Sequence, residues 1–178
     1  LTESALRRQA TALHSVVTSM RSFYATNVVA RVLASAGTTQ VTHNYESIPG
    51  AIPIPATLSL ELGRVISEKQ QNIVYRFVSD HPFRNRKPHA LDDFEVAALR
   101  TMRADPTRVI TDVKESLFSD RVRLIAPVIM GAACVSCHNS HVESVKKDWK
   151  VGDVRGIQEV TITQPFAENL FSFKYLLI

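Results

Sequence analysis

Two rhythms of apolar and polar positions run along the 178-residue chain. In residues 2–34, which hold neither Pro nor Gly, Leu6, Leu13, Met20 and Asn27 recur every seven residues, and Val16 and Phe23 fill the second apolar position of the heptad. That spacing predicts a long amphipathic helix with a narrow seam, interrupted at Gln9 and Asn27 and ended at Gly37. Such a seam packs either on the core of its own domain or on the matching helix of a second copy.

Strict alternation takes over further along. The segments "NIVYRFVSD", "VRLIAPVIM" and "VRGIQEVTITQ" alternate as strands do, and "ESLFSDRVRLI" reads as a hairpin turning at Ser119-Asp120. Residues 40–57 carry Pro49, Pro53 and Pro55 and form an ordered loop, after which Thr57 caps a helix, "LSLELGRVISEKQ". The stretch "LDDFEVAALRTMR" reads as a further helix whose acids Asp92, Asp93 and Glu95 complement its N-terminal dipole rather than forming a catalytic pair. Gly152 and Gly156 allow a tight turn before the last strand. Helices first, then strands with an inserted helix, predict an α+β fold, an antiparallel sheet with helices packed on one side. A PAS-like order of elements fits that class.

Composition narrows the picture only a little. The hydrophobic fraction of 45% supports one domain with a real core. A net charge of +4 is spread over Lys and Arg scattered singly or in pairs, without the basic and aromatic stripe that grips nucleic acid. No stretch reaches the roughly 18 apolar residues that span a bilayer. Apolar density nevertheless rises through "AENLFSFKYLLI" at the end of the sequence, the pattern expected where a membrane helix follows.

The chemistry is concentrated in "AACVSCHNSH", residues 132–141, which holds both cysteines of the chain, Cys134 and Cys137, directly followed by His138. A thioredoxin-type site requires a βαβ setting that is absent from the pattern around it. Zinc requires four closing ligands, for which two of the six histidines would have to join the cysteines. A disulfide across two intervening residues makes a strained ring. C-type haem attachment satisfies the motif as it stands, each thiol adding to one vinyl group and the adjacent imidazole lying beneath the iron. Attachment of this kind takes place outside the cytoplasm, which places the domain in the periplasm.

The segments "IPIPATLSLELG", "HPFRNR", "LDDFEVAAL" and "CVSCHNSHVESVKKDWKVGDVRGIQEV" resemble a family of c-type haem sensors with a PAS-like fold, over residues 20–163. Its members form the periplasmic segment between two membrane helices of bacterial receptors whose cytoplasmic halves are often nucleotide cyclases or histidine kinases. The resemblance implies that Cys134 and Cys137 hold one haem c and that His138 ligates its iron. It does not carry over a sixth ligand, since some members draw a cysteine from the first helix and this chain has none to spare. Met20 on the long helix and His43 in the Pro-rich loop are the candidate distal ligands, with Tyr24 a weaker one and a site left open to a gas as the alternative. Arg84, Arg86 and Arg155 are candidates for pairing with haem propionates, His141 for touching one, and Trp149 for stacking near the macrocycle. His14, His81 and His89 read as surface residues.

The expectation is a sensory, non-enzymatic domain that answers to redox state or to a diatomic gas. A signalling and dimerisation helix (1–36) would precede a PAS-like haem-binding domain (37–165), and residues 166–178 would begin a C-terminal helix leading towards a membrane segment. The expected partners are a second copy of the chain, through the first helix, and a gas or redox partner. A monohaem electron carrier is the alternative, but it has no need of the long helix. A peroxidase-like enzyme would need a distal acid–base pair that the sequence does not display.

Overall fold

In the computed structural model the described residues are 3–86, 89–115 and 119–165. The chain opens with α1 (Glu3–Phe23), which continues through a π-helical turn (Tyr24–Val29) into α2 (Ala30–Ala34). The Pro-rich segment holds the two-residue strands β1 (Val41–Thr42) and β2 (Ile52–Pro53), paired in parallel around a 3-10 turn. Then follow α3 (Pro55–Lys69), β3 (Ile73–Val78), α4 (Asp93–Ala104), β4 (Ile110–Glu115), β5 (Ser119–Ile129), α5 (Ala132–Ser140) and β6 (Val154–Pro165). The expected C-terminal helix of residues 166–178 lies outside the described residues.

Strands β3, β6, β5 and β4 form one antiparallel sheet in that order, and the long β5 and β6 make its spine. Alternation along the strands sends side chains to two faces, and both are covered. On one face Ile73, Tyr75, Val122, Leu124, Val160 and Ile162 meet Leu6, Ala10 and Val17 of α1, flanked by Leu62 and Ile66 of α3. On the other, Val78, Ile125, Val154 and Ile157 meet Ala98, Leu99 and Met102 of α4. Each fully buried Leu, Ile or Val contributes about 1.5–3 kcal/mol, so Leu6 and Val17 seat α1 on the sheet. The fold is therefore the α+β, PAS-like sheet with flanking helices and a long first helix that the pattern predicts, with one correction. The helices lie on both faces rather than on one, because the pattern "SDRVRLIAP" hides a second apolar face behind its arginines.

Those arginines explain how a polar side chain sits in the α4 core. Arg123, 8% exposed, grips Glu159 through two bonds of 2.8 and 3.0 Å, pairs with Asp92 at 2.8 Å and lies over the Phe94 ring. Asp92 and Glu95 form a reciprocal capping box at 2.8 Å in each direction, as expected of helix-start acids. Glu95 is fully buried as well and sits 2.9 Å from Arg76 of β3.

Several boundaries differ from expectation. Ser119 and Asp120 do not form a turn: both lie inside β5, where Ser119 pairs with Pro165 and Asp120 with Glu115 and Gln164. Thr57 does not cap α3. Pro55, with its preset φ, opens that helix, and the buried Thr57 hydroxyl instead accepts a 2.7 Å bond from Arg86. Helical geometry ends at Ala34, three residues before Gly37. Gly152, with φ of 95°, does serve a turn, but Gly156 lies within β6, where a Cβ would stand 2.4 Å from the Val78 carbonyl oxygen.

Candidate functional site

Strand β5 ends at Ile129, and the loop that follows is pinned to the start of β6 by bonds of 2.9 Å from Met130 N to Asp153 O and from Gly152 N to Met130 O. From this anchored point α5 projects with Cys134 and Cys137 one turn apart and His138 four residues after Cys134, so the three share a helix face. Both cysteines are exposed and unlinked. Among the described residues no three His, Cys, Asp or Glu side chains converge as a metal site, which leaves the zinc reading without ligands there.

His138 is half-buried, and two neighbours define its surroundings. The Phe83 ring lies 4.8 Å away, tilted by 52°. The Arg155 Nε–H donates to its Nδ1 across 3.3 Å. Burial first, then the charges of Arg155 and His141, push the imidazole down to about 4, so at neutral pH it carries an open lone pair rather than a second proton. His141, just past α5, stacks on the same Phe83 ring at 4.8 Å and 13°, and its Nδ1 accepts from Glu143 N at 3.1 Å. Phe83 thus joins the two histidines. It belongs to the "HPFRNR" motif, where attention to the arginines hid it.

The arginines of that motif are occupied locally. Arg86 holds Thr57, and Arg84 is bound through its backbone N–H to Glu143 O at 3.0 Å and through Nη1 to Val142 O at 3.4 Å. Arg155 is different. It reaches the Ser79 hydroxyl and His81 O, lies 5.3 Å from the Trp149 ring centre, and forms no ion pair among the described residues. Burial holds its guanidinium down at about 10, partly offset by Asp80 and reinforced by Arg103. Trp149 is buried at 5%, with Lys146 on its ring and His81 at its edge, 5.7 Å away. His81 is therefore half-buried within this cluster rather than a surface residue, and His14 too is half-buried. His89 is exposed, beside Arg76 and Glu95.

Asn139, which sequence reasoning passed over, clamps Trp149 at both backbone atoms: its Nδ2 donates to Trp149 O at 2.9 Å and its Oδ1 accepts from Trp149 N at 3.0 Å. The signal was present in the Asn directly after the CxxCH motif.

On the α1 side, Arg21 is half-buried over Phe77 and donates to Gln158 Oε1 at 2.5 Å. Burial is the main influence on its guanidinium and lowers its pKa. The fully buried Gln158 completes the link by donating to His14 O at 3.3 Å and Thr18 Oγ1 at 3.0 Å. Met20 does not fall in the core seam. It is 48% exposed on the outer face of α1, flanked by Val16 and Phe23. His43 is half-buried, with Nε2 accepting from Asn85 at 3.0 Å. The Tyr24 hydroxyl donates to Pro53 O at 2.6 Å, which ties it to the Pro-rich loop.

A family model described as Tll0287-like matches residues 1–163. The chain belongs to the Tll0287-like family. Among solved structures, a crystal structure described as that of the cyanobacterial haem-protein Tll0287 superposes with a TM-score of 0.61 at 18% identity, covering 92% of this chain and 98% of the other. At that identity the likeness shows the shared fold. No match is found among curated proteins. In this Tll0287-like chain the two cysteines keep the spacing of c-type haem attachment. Their free thiols, side by side with an imidazole on one exposed helix face, fit that group.

Proposed function

We propose that this chain is a haem c sensor domain, the periplasmic part of a membrane receptor, responding to redox state or to a diatomic gas. The observation that carries the proposal is the arrangement on α5: two exposed free thiols and the half-buried His138 on one face of a helix anchored at the sheet edge. Cys134 and Cys137 would hold one haem c through thioethers, and His138 would be the proximal ligand, steadied by Phe83. Bound haem supplies an iron that changes charge on reduction and accepts a small ligand. Met20 and His43 stand as the candidate distal ligands, with Arg84, Arg86, His141, Trp149 and Arg155 as residues around the group.

The first helix suits transmission. Arg21 of α1 is tied to β6 through Gln158, which also grips the α1 backbone at His14, and His138 of α5 is tied to the same strand through Arg155. A change at α5 therefore bears on the helix that would lead to the membrane. A signal shifts such an element only by as much as it favours one arrangement over the other. The outward strip of Val16, Met20 and Phe23 would meet a second copy of the chain. Among the described residues no helix is long and apolar enough to cross a membrane, so anchoring would come from flanking segments.

Expression with a cytochrome c maturation system tests the proposal. Denaturing mass spectrometry should show one haem added to the wild type and none to Cys134→Ala/Cys137→Ala. A bare polypeptide mass for the wild type would refute it. In the loaded protein, Met20→Ala removes the sulfur-to-iron absorption band if Met20 is the distal ligand, whereas His43→Ala turns a low-spin ferric spectrum high-spin if His43 is.

A further inference from the structure

Beneath α1 a group of hydrogen-bond donors lacks an acceptor. Tyr75 of β3 and Ser59 of α3 are 5% and 1% exposed, and neither hydroxyl has a hydrogen-bond partner among the described residues. Gly63 brings α3 and Tyr75 together. A Cβ there would stand 2.3 Å from Tyr75 Cδ1, so the ring lies against α3, and Ser59 is one turn earlier on the same helix face. Arg21 of α1 completes the group. Its guanidinium lies over Phe77, which follows Tyr75 on the same face of β3. It donates to Gln158 Oε1 at 2.5 Å but forms no ion pair among the described residues.

Burial is costly for a hydroxyl that finds no partner, and more so for a cation without a counter-charge. Tyr75 does not supply that charge. Burial pushes its phenol up to about 12, against the pull of Arg21 and Ser59, so at neutral pH it keeps its proton and can donate it. A guanidinium only donates. What the three side chains share is the want of one anionic acceptor.

We propose that Arg21, Tyr75 and Ser59 form a binding site for a single carboxylate group. One cation matches one negative charge, and a planar guanidinium pairs with a planar carboxylate through parallel bonds. A phosphate dianion would leave charge unmatched. The two hydroxyls donate to the remaining lone pairs. The carboxylate comes from one of two sources, a propionate of the haem or a small acid from solution. Either one, once bound, ties α1 to α3 and β3 in addition to the Gln158 link to β6, and so bears on the helix assigned to transmission. The site goes beyond the haem-sensor proposal and does not depend on it.

Acetate is the probe, compared with chloride at equal ionic strength. In the haem-free protein Cys134→Ala/Cys137→Ala, acetate should raise the melting temperature, followed by circular dichroism, above its value in chloride. Adding Tyr75→Phe should weaken the apparent Kd for acetate about tenfold, and adding Arg21→Gln should abolish the gain, each variant being compared with itself in chloride. In the haem-loaded protein the two sources separate. A propionate in the site blocks acetate, and Arg21→Gln then moves the resonance Raman band of propionate bending. A free acid leaves that band in place, and acetate stabilises the loaded protein as well. Either result supports the site. Acetate no better than chloride in both proteins, with the propionate band unmoved by Arg21→Gln, overturns it. So does an acetate gain that survives intact in Arg21→Gln and Tyr75→Phe. A wild type without haem refutes the haem-sensor proposal alone, and the acetate titration then decides this one.

Discussion

Asn139 and Trp149 are bound to each other twice, the carboxamide of one closing on the backbone N–H and carbonyl of the other at 3.0 and 2.9 Å. This pair fastens α5 to the loop that returns to β6. Loss of two part-buried hydrogen bonds costs about 1–3 kcal/mol, so Asn139→Ala should lower the unfolding free energy read from urea titration by that amount and shift Trp149 fluorescence to the red. The cysteines are untouched, so haem attachment should persist.

The Arg123 cluster predicts an asymmetry. Arg123→Met strands the carboxylate of Glu159, which is 2% exposed and among the described residues would keep the Thr161 hydroxyl alone, at a cost of about 3–5 kcal/mol. Glu159→Leu leaves Arg123 its bond to Asp92 and should cost clearly less. The double variant should be more stable than Arg123→Met alone. Chemical denaturation of the three proteins checks the order.

Asp80 links stability to pH. Burial works against its charge, but hydrogen bonds from Arg103 and His81, together with their charges, outweigh that and hold the carboxyl below its ordinary 3.8. A carboxyl with a lower pKa folded than unfolded binds fewer protons when folded, so its contribution is complete above 3.8 and fades as the pH falls through the lowered value. Solvent screening at this partly exposed pair limits the effect to about 1 kcal/mol. Asp80→Asn should unfold at lower urea than the wild type at neutral pH, and the two should converge in acid.

Gly156→Ala sets a Cβ 2.4 Å from Val78 O and 3.0 Å from Ser79 Cβ. Overpacking of this kind costs about 1–3 kcal/mol, and it pushes on the residue that steadies Arg155. A lower melting temperature of Gly156→Ala, followed by circular dichroism, checks it.

The helix face proposed to meet a second copy is tested by crosslinking. Leu13 packs on the domain's own core, whereas Val16 and Phe23 are 55% and 64% exposed. If two copies pair as proposed, a cysteine at Phe23 should crosslink in the full-length protein and one at Leu13 should not.

Much of this was legible from period and motif. Alternation located β3, β5 and β6, the acids Asp92 and Asp93 marked the start of α4, and CxxCH marked α5. What escaped depends on groups far apart in sequence. Thr57 reads as a cap because a local rule favours Thr after a Pro-rich loop, yet Arg86, 29 residues on, takes its hydroxyl. Ser119-Asp120 has turn chemistry, but pairing with both β4 and β6 overrides it. Met20 fits an apolar heptad, but the sheet selects Ala10 and Val17 instead. Phe83, His81 and Arg155 meet only because β3, β6 and the end of α5 converge.

The six π-helical residues from Tyr24 to Val29, closed by Ala30 N–H reaching back to Ala25 O, also explain why a heptad counted through Asn27 misleads. Each α-helical residue advances the helix by about 100°, and a π turn absorbs roughly one residue more than an α turn. Side chains before and after it therefore run out of phase by about that angle. The extra residue is a stored increment of rotation: drawing the turn back to α geometry would swing α2 around the axis of α1 while the helix stayed continuous.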